Sequence, residues 1–119
     1  MTRREQVQAV LDRVDADLHR LRGVRSGVRV VDDPGHGPQL HGDGDAQADL
    51  SLDGPALDVE VARAAQDSLV EQVWTAGPLC RAHDRALRPA LHEGRLVWRC
   101  VGGHVLADVG GLRPAESTW

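Results

Sequence analysis

The chain contains two cysteines, and each is followed at short range by a histidine: "PLCRAH" spans residues 78–83 and "RCVGGH" spans residues 99–104. Two residues separate Cys80 from His83, three separate Cys100 from His104, and sixteen lie between the pairs. Short spacing lets one tight turn aim a thiolate and an imidazole at a common point, while the longer segment must return the chain to that point. Two thiolates and two neutral imidazoles suit a tetrahedral, borderline-soft cation, and the two negative ligands neutralise a double charge. The expected cofactor is therefore a structural Zn2+ held by Cys80, His83, Cys100 and His104.

Other chemistry fits these residues less well. Four protein ligands leave no position for an activated water, whereas catalytic zinc keeps one open. A thioredoxin-like role lacks its Cys-x-x-Cys. No nucleophile elbow, Ser-His-Asp order or phosphate loop is present, so no catalytic residue is assigned. His92 is near enough in sequence to substitute as a ligand, but its place at a predicted hairpin tip directs it away from the two pairs. A second donor group, His36 and His41 with Asp43 and Asp45, lies in the Gly-rich run "DPGHGPQLHGDGD". That backbone is poorly preorganised for an ion, and the run reads as a solvated acidic loop.

The elements that must position the four ligands are legible in outline. In "ALRPALHEGRLVWRC", Glu93-Gly94 offers a hairpin turn between strands at about Leu87–His92 and Arg95–Cys100, with Gly94 supplying positive φ. "HVLADVG" would add a third strand. Upstream, Val7, Val10, Leu11, Val14, Leu18 and Leu21 form one apolar stripe at helical spacing. Thr2 with Glu5 fits a capping box, and Gly23 is a natural stop. The stripe can pack on its own domain or form a helix-helix dimer seam. "GVRVVDD" and "ADLSLDG" alternate as half-buried strands, and a second helix runs from about Leu57 to Trp74 before Gly77-Pro78 ends it. Trp74 and Trp98 are expected in the core.

The C-terminal third resembles the zinc-ribbon superfamily: a knuckle "PLCRAH", a hairpin around "HEGR", a second knuckle "RCVGGH" and a closing strand "VLADVG". It is also similar to the C-terminal part of small actinobacterial proteins ending in "GRLVWRC…GH". In the usual ribbon both knuckle positions are Cys and a Gly follows soon after, whereas Asp84 and Arg85 follow the first knuckle here. The resemblance implies a fold and a metal, with Cys80, His83, Cys100 and His104 as ligands, and no particular activity.

These readings combine into an α+β protein. A helix-strand-strand-helix body occupies residues 1–76, a small zinc β-ribbon residues 77–112, and a tail residues 113–119. Phe, Tyr, Ile, Lys and Asn are absent, and these are residues of AT-rich codons, so the Arg-only cationic usage reflects a GC-rich genome such as an actinobacterial one. There is no apolar run long enough to span a bilayer and no secretory signal in "MTRREQVQAVLDRVD", so a cytoplasmic protein without membrane contact is expected. In a reducing compartment, thiolate ligands are favoured over a cystine.

The net charge of −4 is unevenly spread. Eight acids and no Arg lie between Asp32 and Glu60, and six Arg face four acids from Cys80 onward. This balance favours a protein-protein interaction or regulatory module, with a protein partner or a second copy of the chain. The alternative is a nucleic-acid-binding ribbon that uses Arg81, Arg85, Arg88, Arg95 and Arg99 on phosphates, and a metal-dependent enzyme ranks below it.

Overall fold

Helix α1 (Arg3–Arg22) starts and stops where the sequence signals predict. The Glu5 N–H donates to Thr2 Oγ1 at 3.1 Å and the Thr2 N–H reaches the Glu5 carboxylate at 3.4 Å, so the capping box is closed from both sides. At the far end Gly23 takes a left-handed conformation (φ 70°) and its N–H caps the His19 carbonyl. Val7, Val10, Leu11, Val14 and Leu18 are buried in the chain's own core. Asp17 is buried with them, in line with the apolar stripe and not on the opposite, solvated face.

The computed structural model describes residues 2–42, 47–73 and 77–119. Its described residues form a mixed α+β fold with two helices and two antiparallel sheets. The order after α1 is β1 (Arg29–Asp33), β2 (Gly37–His41), β3 (Gln47–Asp49) and α2 (Gly54–Val73). There follow β4 (Leu79–Cys80), β5 (Arg85–His92), β6 (Arg95–Cys100), β7 (Val105–Asp108) and β8 (Ser117–Thr118).

The first sheet has the order β1-β2-β3. Its middle strand falls inside the Gly- and Pro-rich segment expected to be a loop, so three strands stand between the helices where the sequence predicts two. Gly and Pro count against a strand, yet Pro38 lies beyond the last β2–β3 pair, Gln39 with Asp49, and its missing N–H interrupts no ladder there. The β1–β2 turn is tied by Asp33, whose Oδ1 accepts the Gly35 N–H at 2.8 Å. Leu40 turns into the core.

Helix α2 begins at Gly54-Pro55, three residues before the expected Leu57, because Pro fits a first helical turn where no N–H partner is needed. Glu60 reaches back to accept from the Ser51 and Leu52 N–H groups and the Ser51 hydroxyl. Arg3 fastens the same connection, donating to Asp53 and to the carbonyls of Leu50 and Leu52. Ala62 and Ala65 are fully buried, which permits close packing of α2. Trp74 lies outside the described residues.

The second sheet has the order β7-β6-β5-β4-β8. Its central hairpin turns at Glu93 (φ 52°) and Gly94 (φ 77°), the two positive φ values of a two-residue turn, with His92 opposite Arg95. Beyond Ala86, where pairing with β4 ends, the side of β5 away from β6 is met by α2 instead of a strand. Gln66 Nε2 donates to the Leu87 carbonyl at 2.6 Å and Arg63 Nε to the Pro89 carbonyl at 3.1 Å. Pro89 is tolerated within β5, since the edge its carbonyl faces is met by side-chain donors that need no N–H from it.

Asp17 joins this sheet to α1. Its carboxylate accepts from Trp98 Nε1 (2.7 Å), Gly110 N–H (2.6 Å), Leu112 N–H (3.1 Å) and Arg20 (2.7 Å). Four donors satisfy a charge with no solvent access and fix the indole of Trp98, itself fully buried. The segment 113–119, which carries no legible pattern, docks as well: β8 pairs with β4, and the Arg22 guanidinium lies 5.3 Å from the Trp119 ring centroid.

Candidate metal centre

Each cysteine is the last residue of a strand, and each histidine closes the turn that follows. Cys80 ends β4, and the chain reverses over 81–84 into β5, with the Asp84 N–H donating to the Cys80 carbonyl at 2.7 Å. Asp84 takes φ 52°, a left-handed conformation that Asp is among the few residues to tolerate. Cys100 ends β6, where the Gly103 N–H donates to the Cys100 carbonyl (2.8 Å) and the Cys100 N–H to the His104 carbonyl (2.9 Å). Gly103 has φ 92°, a conformation that a side chain would strain.

The β5–β6 hairpin brings the two turns together. Because the strands run antiparallel, the start of β5 and the end of β6 are neighbours, with Leu87 opposite Cys100. The Cys80 sulfur lies 3.4 Å from His83 Nδ1 and 3.6 Å from His104 Nδ1, and the Cys100 sulfur lies 3.7 Å from His83 Nδ1. One donor atom from each of the four residues falls within 4.8 Å of all the others. The imidazoles meet edge to face, their centroids 5.2 Å apart. The four residues lie close enough to bind one metal ion.

The separations also fit a particular geometry. Ligands at roughly 2.3 Å (sulfur) and 2.05 Å (nitrogen) from one ion, set at the tetrahedral angle, are about 3.6 Å apart. The three sulfur–nitrogen separations of 3.4, 3.6 and 3.7 Å bracket that value. Both cysteines are buried and both histidines are exposed, so the donor set opens to the surface on its imidazole side. Burial pushes the Cys100 thiol up, but the N–H groups of His104 and Gly102, the Cys80 sulfur and the charge of Arg85 outweigh it. The net shift is downward, toward the thiolate that binds metal.

The remaining histidine candidates are held elsewhere. His36 pairs with Asp33 at 3.3 Å, and His41 Nε2 lies 3.3 Å from Gln39 Oε1. They flank opposite ends of β2, about 16 Å apart at extended-strand rise, too far to share an ion. Asp43 and Asp45 lie outside the described residues. His92 sits at the hairpin tip, the end of β5 remote from both turns. Among the described residues, no other group of His, Cys, Asp and Glu is arranged to hold an ion.

The arginines read as a possible phosphate-binding stripe are mostly engaged. Arg81 donates to the Pro114 carbonyl, Arg88 pairs with Asp67 at 2.9 Å, Arg95 with Asp108 at 3.5 Å, and Arg85 acts on Cys100. Arg99 has no ion-pair partner among the described residues. Two contributors to this end of the molecule had no sequence signal as site residues: Gln66 and Arg63, which reach it from α2. Asp17 did leave a signal, as an acid three residues after Val14 on the apolar stripe.

Compared with known proteins, the chain matches no family model, no curated protein and no solved structure. Among the described residues, no helix is long and apolar enough to cross a membrane.

Proposed function

We propose that the chain is a small zinc-binding protein of zinc-ribbon type, in which Cys80, His83, Cys100 and His104 hold one structural Zn2+. The observation that carries this reading is the match between the sulfur–nitrogen separations and a tetrahedral ion. Two thiolates balance the charge of a divalent cation, and four protein donors close the coordination sphere, which favours a structural over a catalytic role. Bound there, the ion supplies a cross-link between the β4–β5 and β6–β7 turns.

The closed site serves a protein-protein interaction or regulatory module. Leu52 and Leu91, exposed at 46% and 38%, line an open groove of about 620 Å3 with Ala56, Val59 and Ala64, rimmed by three acids, Asp49, Glu60 and Asp67, and one base, Arg63. Its chemistry fits a short apolar segment of a protein partner with flanking basic residues. The arginine-based nucleic-acid reading has less support, since Arg81, Arg88 and Arg95 already make hydrogen bonds or ion pairs within the chain.

The test is metal content of the purified protein by elemental mass spectrometry, paired with melting before and after a strong chelator. One zinc per chain and a large fall in melting temperature on chelation are expected. Metal-free protein that melts identically with and without chelator would overturn the reading.

A further inference from the structure

Beside the second knuckle lies a cleft of about 280 Å3 that shares one wall, at Cys100, with the metal centre. Its lining also includes Arg63 from α2, Arg88 and Ala90 from β5, Arg99 from β6, and Val101 and Gly103 of the β6–β7 turn. Among the described residues, no carboxylate lines it. Arg88 and Arg99 are direct cross-strand partners, an arrangement that costs stability when two like charges face each other without a counter-charge. Three guanidinium groups thus converge from three elements.

The compensation inside the chain is partial. Asp67 neutralises Arg88 from outside the cleft, at 2.9 Å. Arg63 commits its Nε to the Pro89 carbonyl, which anchors the side chain and leaves the two terminal nitrogens of its fork. The Arg99 side chain makes no hydrogen bond or ion pair among the described residues, its backbone alone being paired with the neighbouring strands. Three cations against one carboxylate leave two positive charges uncompensated. That excess matches a doubly charged tetrahedral oxyanion, and planar guanidinium forks are the side chains best shaped to take its oxygens in pairs.

We infer that this cleft binds a single phosphate group, as free phosphate or the phosphomonoester of a small molecule, between Arg63, Arg88 and Arg99. Its donors are arginines, and Cys100, Val101 and Gly103 contribute only wall. A phosphate seated there relieves the Arg88–Arg99 repulsion and ties α2 to the β5–β6 hairpin.

The test is calorimetric titration of the full chain with inorganic phosphate at constant ionic strength, chloride replacing phosphate in the reference. A saturable site, one per chain, is expected, weakened about tenfold or more by Arg99→Gln. The Arg99 side chain has no hydrogen bond or ion pair among the described residues to lose and its charge faces Arg88, so that variant should melt no lower than the parent, with unchanged metal content. Arg63→Gln should weaken binding too, while Arg29→Gln, which removes the same charge from the other sheet, should not. Small-molecule phosphomonoesters that bind tighter than phosphate would identify the physiological source as an ester, and weaker ones as free phosphate. Absence of saturation, or equal losses in Arg99→Gln and Arg29→Gln, would overturn the proposal. Binding of a single-stranded oligonucleotide that phosphate fails to displace would also overturn it, by assigning the arginines to a polyanion surface.

Discussion

The two sheets of this molecule are held in different ways. The three-stranded sheet is short and acidic, and it is fastened largely by side chains at its margins: Arg4 to Asp32, Arg3 to Asp53 and two carbonyls, and Asp33 within its own turn. Each of these bonds is wholly or partly exposed to water, where such pairs contribute little individually. The five-stranded sheet has a buried tryptophan anchored by Asp17, the part of β5 beyond β4 sealed by α2, and two cysteines and two histidines meeting at one end. The two strands on one side of it, β4 and β8, are only two residues long. Strands so short gain little from their own ladders, so an anchor at Cys80 matters more there than any bond in the first sheet.

The sharpest way to break that contrast is to remove a ligand. Cys100→Ser should abolish stoichiometric zinc and forfeit much of a binding free energy of order 10 kcal/mol. Amide hydrogen exchange would then report loss of protection in β4, β7 and β8 well beyond any change in β1 and β2. Equal loss in both sheets would mean that the ion supports the whole core and not one sheet.

Asp17→Ala comes next. It strands the buried indole N–H of Trp98, the buried Leu112 N–H and the half-buried Gly110 N–H, and should cost about 3–5 kcal/mol in urea unfolding. Zinc content should survive in the folded fraction, since no ligand touches Asp17.

Smaller effects belong to the two hairpins. Gly94→Ala forces an L side chain into a left-handed turn with open space around it, so the cost is conformational, at ~1–2 kcal/mol. Thermal melting would read it.

The smallest effect concerns Asp33. The Gly35 N–H holds its carboxyl below the ordinary value of 3.8, against the opposing effect of burial and with further help from His36. The folded state therefore favours the ionised form, and the resulting stability is present above pH 3.8 and lost as pH falls through the folded value. NMR titration of Asp33 should show this, and Asp33→Asn should remove it without altering the second sheet.

The share of this arrangement legible in the sequence follows from the range of the interactions. Capping box, Gly stop and apolar stripe all act within a few residues, and α1 has the expected limits. Glu93-Gly94 encodes its turn in two residues, and both hairpin strands fall within two residues of their expected bounds. The strand formed by 37–41 was hidden because its Gly and Pro carry the local signal of a loop, while its pairing depends on β1 and β3. The segment 113–119 was unreadable for the same reason, since two residues become a strand only when β4 is beside them.

By itself, then, the sequence determined the elements whose signals are local and the four residues whose chemistry and spacing predict a shared ion. Only the tertiary structure decided that their donor atoms meet at tetrahedral separations. It alone buried Asp17 beneath Trp98, 81 residues away, and drew Arg63 to Arg88 and Arg99. The physical reason is that a turn or cap is satisfied by its neighbours along the chain, whereas a buried charge or a cluster of like charges is defined by whichever distant groups the folded core places around it.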